Sequence, residues 1–263
     1  MSLEAALSLM PTFVLAFFRL AAMFLSAPLF GSARVPRRVK ILFALALTAG
    51  ITPALPPGTA LPSTAWGLAA GIAGEMVFGL ALGTALSVTF VAVSWAGEII
   101  GQQMGFNLGE VFDPAMGGQT SVIGDLYFML TLVTFMLLRG HHALLRGVVD
   151  SFQTLPLLSV GMNTPVFDLM LNLLSSATML AMQLAAPVLI TLLVVDLILG
   201  FIGKTMPQMN VMAAGLSLRS MIGLLVLAIG LSMTSETIAE SLADSLRAVG
   251  TAWRKTVTTT GAG

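Results

Sequence analysis

Residues 169–200 read LMLNLLSSATMLAMQLAAPVLITLLVVDLILG, and Asp196 is the single charged residue in the stretch. A transmembrane helix needs roughly 20 mostly apolar residues, so this run exceeds what one crossing requires. It predicts either one long tilted helix or a bent hairpin that does not cross fully. Working outward, further apolar runs lie at about 5–30, 39–55, 65–95, 122–138 and 212–233. The run at 65–95 is over-long in the same way. Pro53, Pro56, Pro57 and Pro62 mark a rigid loop after the second run. A second polar connection, 139–168, closes with Pro156 and Pro165. The fold class expected is all-α: an integral membrane-type protein of long helices and helical hairpins.

Composition agrees. The chain has 263 residues, 57% hydrophobic and 9% charged, where a soluble domain carries about 25% charged residues. Its net charge of zero argues against nucleic acid as a partner. There are no cysteines, which excludes a disulfide scaffold and thiolate metal sites. The opening MSLEAALSL has no basic n-region and does not read as a cleaved signal peptide. Residues 1–235 are expected to form a single helical membrane domain. Residues 236–263 are expected to form an amphipathic C-terminal helix, with Leu242, Leu246 and Val249 on its packed face, and a flexible tail ending TTTGAG.

The exception to this apolar character is AGEIIGQQMGFNLGEVFDPAMGGQTSV, residues 96–122. It contains acids and no Lys or Arg. Polar backbone at membrane depth is tolerated only when buried in protein or lining a water-filled cavity, so a pore, gate or substrate path is sought here first. Gly97, Gly101, Gly105 and Gly109 recur every fourth residue. That places small residues on one helical face, where backbones approach closely. Gly67/Gly71 and Gly79/Gly83 repeat the spacing. After Gly109, Asp113-Pro114 and Gly117-Gly118 are turn formers, so a helix is expected to run into a flexible loop. Met104 and Met116 stand out among the 17 methionines as adaptable contacts for moving partners.

Arg19, Glu75, Glu98 and Asp196 lie in or beside apolar runs. Such charges cost several kcal/mol unless paired or facing water, which makes them functional candidates by default. A structural ion pair or a polar contact between subunits is an equally good reading, and the residues alone assign no partners. His141 and His142 are adjacent and point to different helix faces, so a polar helix boundary outweighs a metal site, and no metal or cofactor is expected. No phosphate-binding loop, GxSxG elbow or HExxH appears; no enzyme activity is expected. Basic residues do not set a simple orientation. Arg34, Arg37, Arg38 and Lys40 place the first loop in the cytoplasm, yet six plain crossings would then put the partly basic tail outside. One run is therefore expected to be a hairpin or not to cross.

Four blocks in order carry a resemblance. FFRLAAMFLSAPLFGSARVPRRVK (17–40), GEIIGQQMGFNLGEVFDP (97–114), GHHALLRGVVDSFQTLP (140–156) and VVDLILGFIGKTMPQMNV (194–211) resemble the flagellar biosynthesis protein FliR family over nearly the whole chain. Arg139, Lys204 and Ser217 depart from its usual residues. The resemblance implies a subunit of the type III export gate, assembled with FliP-like and FliQ-like membrane subunits into a helical pore-forming ring in the bacterial inner membrane, at the flagellar basal body. It also implies FlhB- and FlhA-type export components and unfolded flagellar proteins as partners. Within that family a loop of the central motif plugs the closed pore. Carried over, the plug is about 105–121, with Gly105, Phe106, Asn107, Phe112, Asp113, Pro114 and Met116 as candidates. A rival reading is a secondary transporter of a small solute with Glu98 and Asp196 as coupling acids, although the halves show no convincing repeat. A second alternative is the homologous subunit of a virulence injectisome.

Overall fold

The structure is a computed structural model. It describes residues 3–28, 36–55, 64–106, 121–154, 157–158, 164–206 and 211–260, with side chains covered over 9–28, 36–55, 64–106, 121–153, 157–158, 171–206 and 214–247. The described residues are helical, with no strand among them. The helices are α1 (Leu3–Ser26), α2 (Arg37–Ile51), α3 (Ala65–Met104), α4 (Val122–Leu137), α5 (Gly140–Thr154), α6 (Thr164–Thr205) and α7 (Val211–Thr260), with one 3-10 turn at Thr52–Ala54.

The two over-long apolar runs resolve the same way. α3 has 40 residues and α6 has 42, each a single helix rather than a hairpin. At 1.5 Å per residue these are roughly 60 Å long, about twice the thickness of a bilayer core. Pro187 lies inside α6 without ending it, and the Thr191 hydroxyl donates to the Pro187 carbonyl at 2.8 Å. The last helix corrects an expected boundary. Residues 212–233 and the amphipathic segment after 235 form one 50-residue helix, α7, running through Thr260. No proline follows Pro207 to end it. Along it Ile238 and Leu242 are fully buried, while Glu236, Glu240 and Arg247 face outward.

Among the described residues four helices are long and apolar enough to cross a membrane, or five if α4 and α5 count together as one span: Leu9–Ser26, Ala65–Met104, Leu171–Thr205 and Ala214–Arg247 are the four. The run at 39–55 is not among them. α2 stops at Ile51 after 15 residues because Pro53 has no N–H to continue the ladder. α4 has 16 residues and α5 has 15, each too short to cross by itself. Two of the six expected crossings are thus short; counting α4 and α5 together as one span leaves five crossings, an odd number that puts the basic tail on the cytoplasmic side.

The chain divides into two compact units: Met1–Val88 with Arg139–Leu174 and Asp244–Gly263, and Thr89–Leu138 with Ser175–Ala243. In the first, α1 buries Thr12, Leu15, Ala16, Arg19, Leu20 and Met23, a stripe with helical spacing. α3 crosses this stripe at Gly79 and Gly83. A Cβ at Gly79 would run into the Arg19 carbonyl oxygen, and one at Gly83 into Ser26 Oγ and the Met23 carbonyl. The Ser26 hydroxyl donates across the crossing to the Leu80 carbonyl at 3.2 Å. In the second unit, Phe90 of α3 meets Phe128 and Phe135 of α4 edge-on, at 5.8 and 5.7 Å between ring centres. Large parts of α6 and α7 have no cover: only 28% and 11% of their apolar spans are buried, against 61% for α3.

Candidate functional site

The central motif begins on the last turns of α3. Gly97 sits against the first turn of α4: a Cβ there would lie 2.7 Å from the Ile123 carbonyl oxygen and 2.8 Å from Gly124 Cα. All the nearest atoms are backbone, so no side chain can move aside. Ser121 caps α4, its hydroxyl accepting from the Gly124 N–H at 3.2 Å. This is the close helix approach that small residues permit.

The glycine series does not continue as one packing face. α3 ends at Met104, and Gly105 takes φ 83°. The Gly105 N–H donates to the Gln102 carbonyl and the Phe106 N–H to the Gly101 carbonyl, both at 3.0 Å. Those two bonds define a Schellman cap, in which a left-handed residue satisfies the last helix carbonyls. Gly105 therefore terminates the helix, whereas a helix reaching about Gly109 was expected. Gly101 is buried in the last turn of α3. Gly109 and the plug candidates Asn107, Phe112, Asp113, Pro114 and Met116 lie outside the described residues. Phe106 is described and 43% exposed.

Met104 is also reassigned. Expected as a contact for moving partners, it is fully buried. Its side chain covers Gly223 of α7, and its carbonyl accepts from the Ser220 hydroxyl at 3.0 Å. The end of α3 is thereby fastened to α7. On the other side of the same turns Trp95, Glu98 and Gln102 are exposed. Their spacing of three and four residues makes one outward face, so Glu98 is a surface carboxylate at the base of the central motif.

The remaining intramembrane candidates fall into two pairs. Arg19 and Glu75 are both completely buried and meet at 2.5 Å, Nε to Oε2. The guanidinium also donates to Ser151 Oγ at 3.3 Å and lies between the rings of Phe78 and Phe152, 4.6 and 4.5 Å from their centres. The second Glu75 oxygen accepts from the Leu158 N–H at 2.9 Å. This is a fully enclosed charge, satisfied on every side, as burial demands. Ser151, Phe152 and Leu158 were not singled out from the sequence, since they lie far from Arg19 along the chain. Asp196 of α6 pairs with Arg219 of α7 at 2.6 Å, each about one-third exposed. The two contacting atoms do not align as a hydrogen bond, so this is charge-to-charge contact. It ties up the Asp196 carboxylate.

His141 and His142 sit ring against ring, 4.4 Å apart, at the start of α5. His141 Nδ1 is buried without a hydrogen-bond partner among the described residues. No group of three metal-ligating side chains occurs among them.

Long apolar helices, glycine-mediated crossings and charges neutralised within the chain define a multi-pass helical membrane-type protein. Residues 10–245 match the family described as bacterial export proteins, family 1, and the chain belongs to that family. It is 33% identical over 239 residues to the flagellar biosynthetic protein FliR of Bacillus subtilis, covering 88% of this chain and 90% of the relative. It is 31% identical over 210 residues to the Escherichia coli protein of that name, covering 80% of each chain. The Aquifex aeolicus protein of that name is 28% identical over 236 residues, covering 89% of this chain and 90% of the relative.

Proposed function

We propose that the chain is a non-enzymatic subunit of the flagellar type III export gate in the bacterial inner membrane. It helps to form the channel through which unfolded flagellar subunits pass. The observation that carries this reading is the match over residues 10–245, with relatives named as flagellar biosynthetic proteins covered over 80% to 90% of their length. The geometry supports it in two ways. The uncovered apolar lengths of α6 and α7 suit burial against other membrane subunits, and FliP-like and FliQ-like proteins are the partners proposed. FlhB- and FlhA-type components are proposed beside them. The Schellman cap at Gly105 ends a helix pinned at Gly97 and Met104, which gives the polar segment that follows a fixed base. That segment, to Ser121, is the proposed pore plug. The transporter alternative is less well supported, because Asp196 is held in an ion pair.

Two experiments test the reading. Affinity purification of the tagged chain from its host membrane should bring down two other small membrane proteins in fixed proportion. Recovery of a stable monomer that binds a small solute would overturn the assignment. Deletion of residues 106–118 should leave the complex assembled and raise its ion leakage. Unchanged leakage together with unchanged export would remove the plug.

A further inference from the structure

Among the described residues two non-glycine positions have positive φ: Arg139 at 53° and Leu158 at 68°. They bracket one helix, α5. Left-handed backbone is unfavourable for residues with a Cβ, and such strain gathers at switch regions when the surroundings hold it in place. What holds it here is specific. α5 buries Leu144, Val148, Ser151 and Phe152, the spacing of a single face, while His142 and Gln153 point outward. At the inner end of that face, Ser151 and Phe152 both engage the buried Arg19. Beyond the helix, Glu75 grips the strained Leu158 directly through its N–H. The Leu158 side chain rests where Gly71 leaves room, since any Cβ at 71 would collide with Leu158 Cδ2.

We infer that α5 with the turn at 157–158 is a strained flap, hinged at Arg139 and latched by the Glu75 carboxylate onto the Arg19 cluster. One carboxylate serves both functions: Oε2 fixes the cation that the flap covers, and Oε1 fixes the far hinge. The two strained hinges favour release and the carboxylate opposes it. This makes the flap a two-state element whose balance is set at Glu75 and Arg139. The inference stands on geometry alone and does not depend on the export reading.

The test uses the absence of native cysteine. Val148 is 1% exposed on the docked face, so Val148→Cys in the full-length chain, in its own membrane, reports flap opening by its rate of maleimide labelling. Arg139 is exposed, so Arg139→Asn eases the hinge without removing packing. It should slow labelling by about fivefold. Glu75→Ala should speed labelling by about tenfold or more. Since that change strands a buried guanidinium, the double variant Arg19→Met/Glu75→Met is run beside it. It removes both charges together and should still label faster than the parent, because Leu158 has lost its acceptor. Faster labelling in Arg139→Asn, or parental labelling in the double variant, would overturn the latch.

Discussion

Replacing Gly79 by alanine tests the crossing of α1 and α3, and a matched change at Gly230 shows what the same replacement does elsewhere. At Gly79 the new methyl would meet the Arg19 carbonyl oxygen, a backbone atom held within its own helix. The two helices must then part. Overpacking of this kind costs about 1–3 kcal/mol, and a rigid obstacle puts it toward the upper end. Alanine returns about 1 kcal/mol through its better helix propensity. The net expectation is a loss of about 2 kcal/mol. Part of that loss arises one turn away, because Glu75 and Arg19 must separate with their helices and their contact is only 2.5 Å. At Gly230 nothing lies within 4 Å, so alanine should stabilise the isolated chain by about 1 kcal/mol. Thermal unfolding of the detergent-purified chain reads both: a lower midpoint for Gly79→Ala and a higher one for Gly230→Ala. Equal midpoints, or a shift of the same sign, would refute the close-crossing argument. If Gly230→Ala stabilises the free chain but blocks complex formation, Gly230 lies against a partner subunit.

Further outcomes follow from the same geometry. Gly105→Ala must adopt φ near 83° with a Cβ, costing about 1–2 kcal/mol; unfolding midpoints should fall, while Gly200→Ala, in open space, should raise them. Met104→Ala empties a fully buried site over Gly223 and should cost about 2–5 kcal/mol, read by denaturation of the purified chain. For the Arg19–Glu75 pair, a double-mutant cycle to methionine should show each single variant losing about 3–5 kcal/mol and the double variant losing less than either. Simple addition of the two losses would show that the charges do not depend on each other.

Much of the architecture is legible along the chain because apolar length and helical period are local properties. The long runs at 65–95 and 169–200 and the polar island between 96 and 122 are visible directly. What escapes local reading depends on residues far apart or on a single torsion. Arg19 and Glu75 are both conspicuous as intramembrane charges, but their pairing joins positions on different helices, and Ser151 and Leu158 complete the shell from a third segment. The same holds for Asp196, whose partner Arg219 lies on the next helix. The glycine series at 97, 101 and 105 has one spacing and two uses. Gly97 admits a neighbouring backbone, whereas Gly105 ends the helix, and only its positive φ separates the two. The charged residues after 235 suggest a new helix, but a change from lipid-like to amphipathic surface does not break a backbone ladder, so α7 continues through it.

Passage of flagellar subunits out of the cell is the activity proposed for this chain. The most direct measurement is the amount of flagellar subunit protein released to the medium by host cells lacking the chain, with and without its restoration. Release is expected to be abolished without the chain and to return with it, while unrelated secreted proteins are unaffected. Normal release and normal flagella in cells lacking the chain would contradict it.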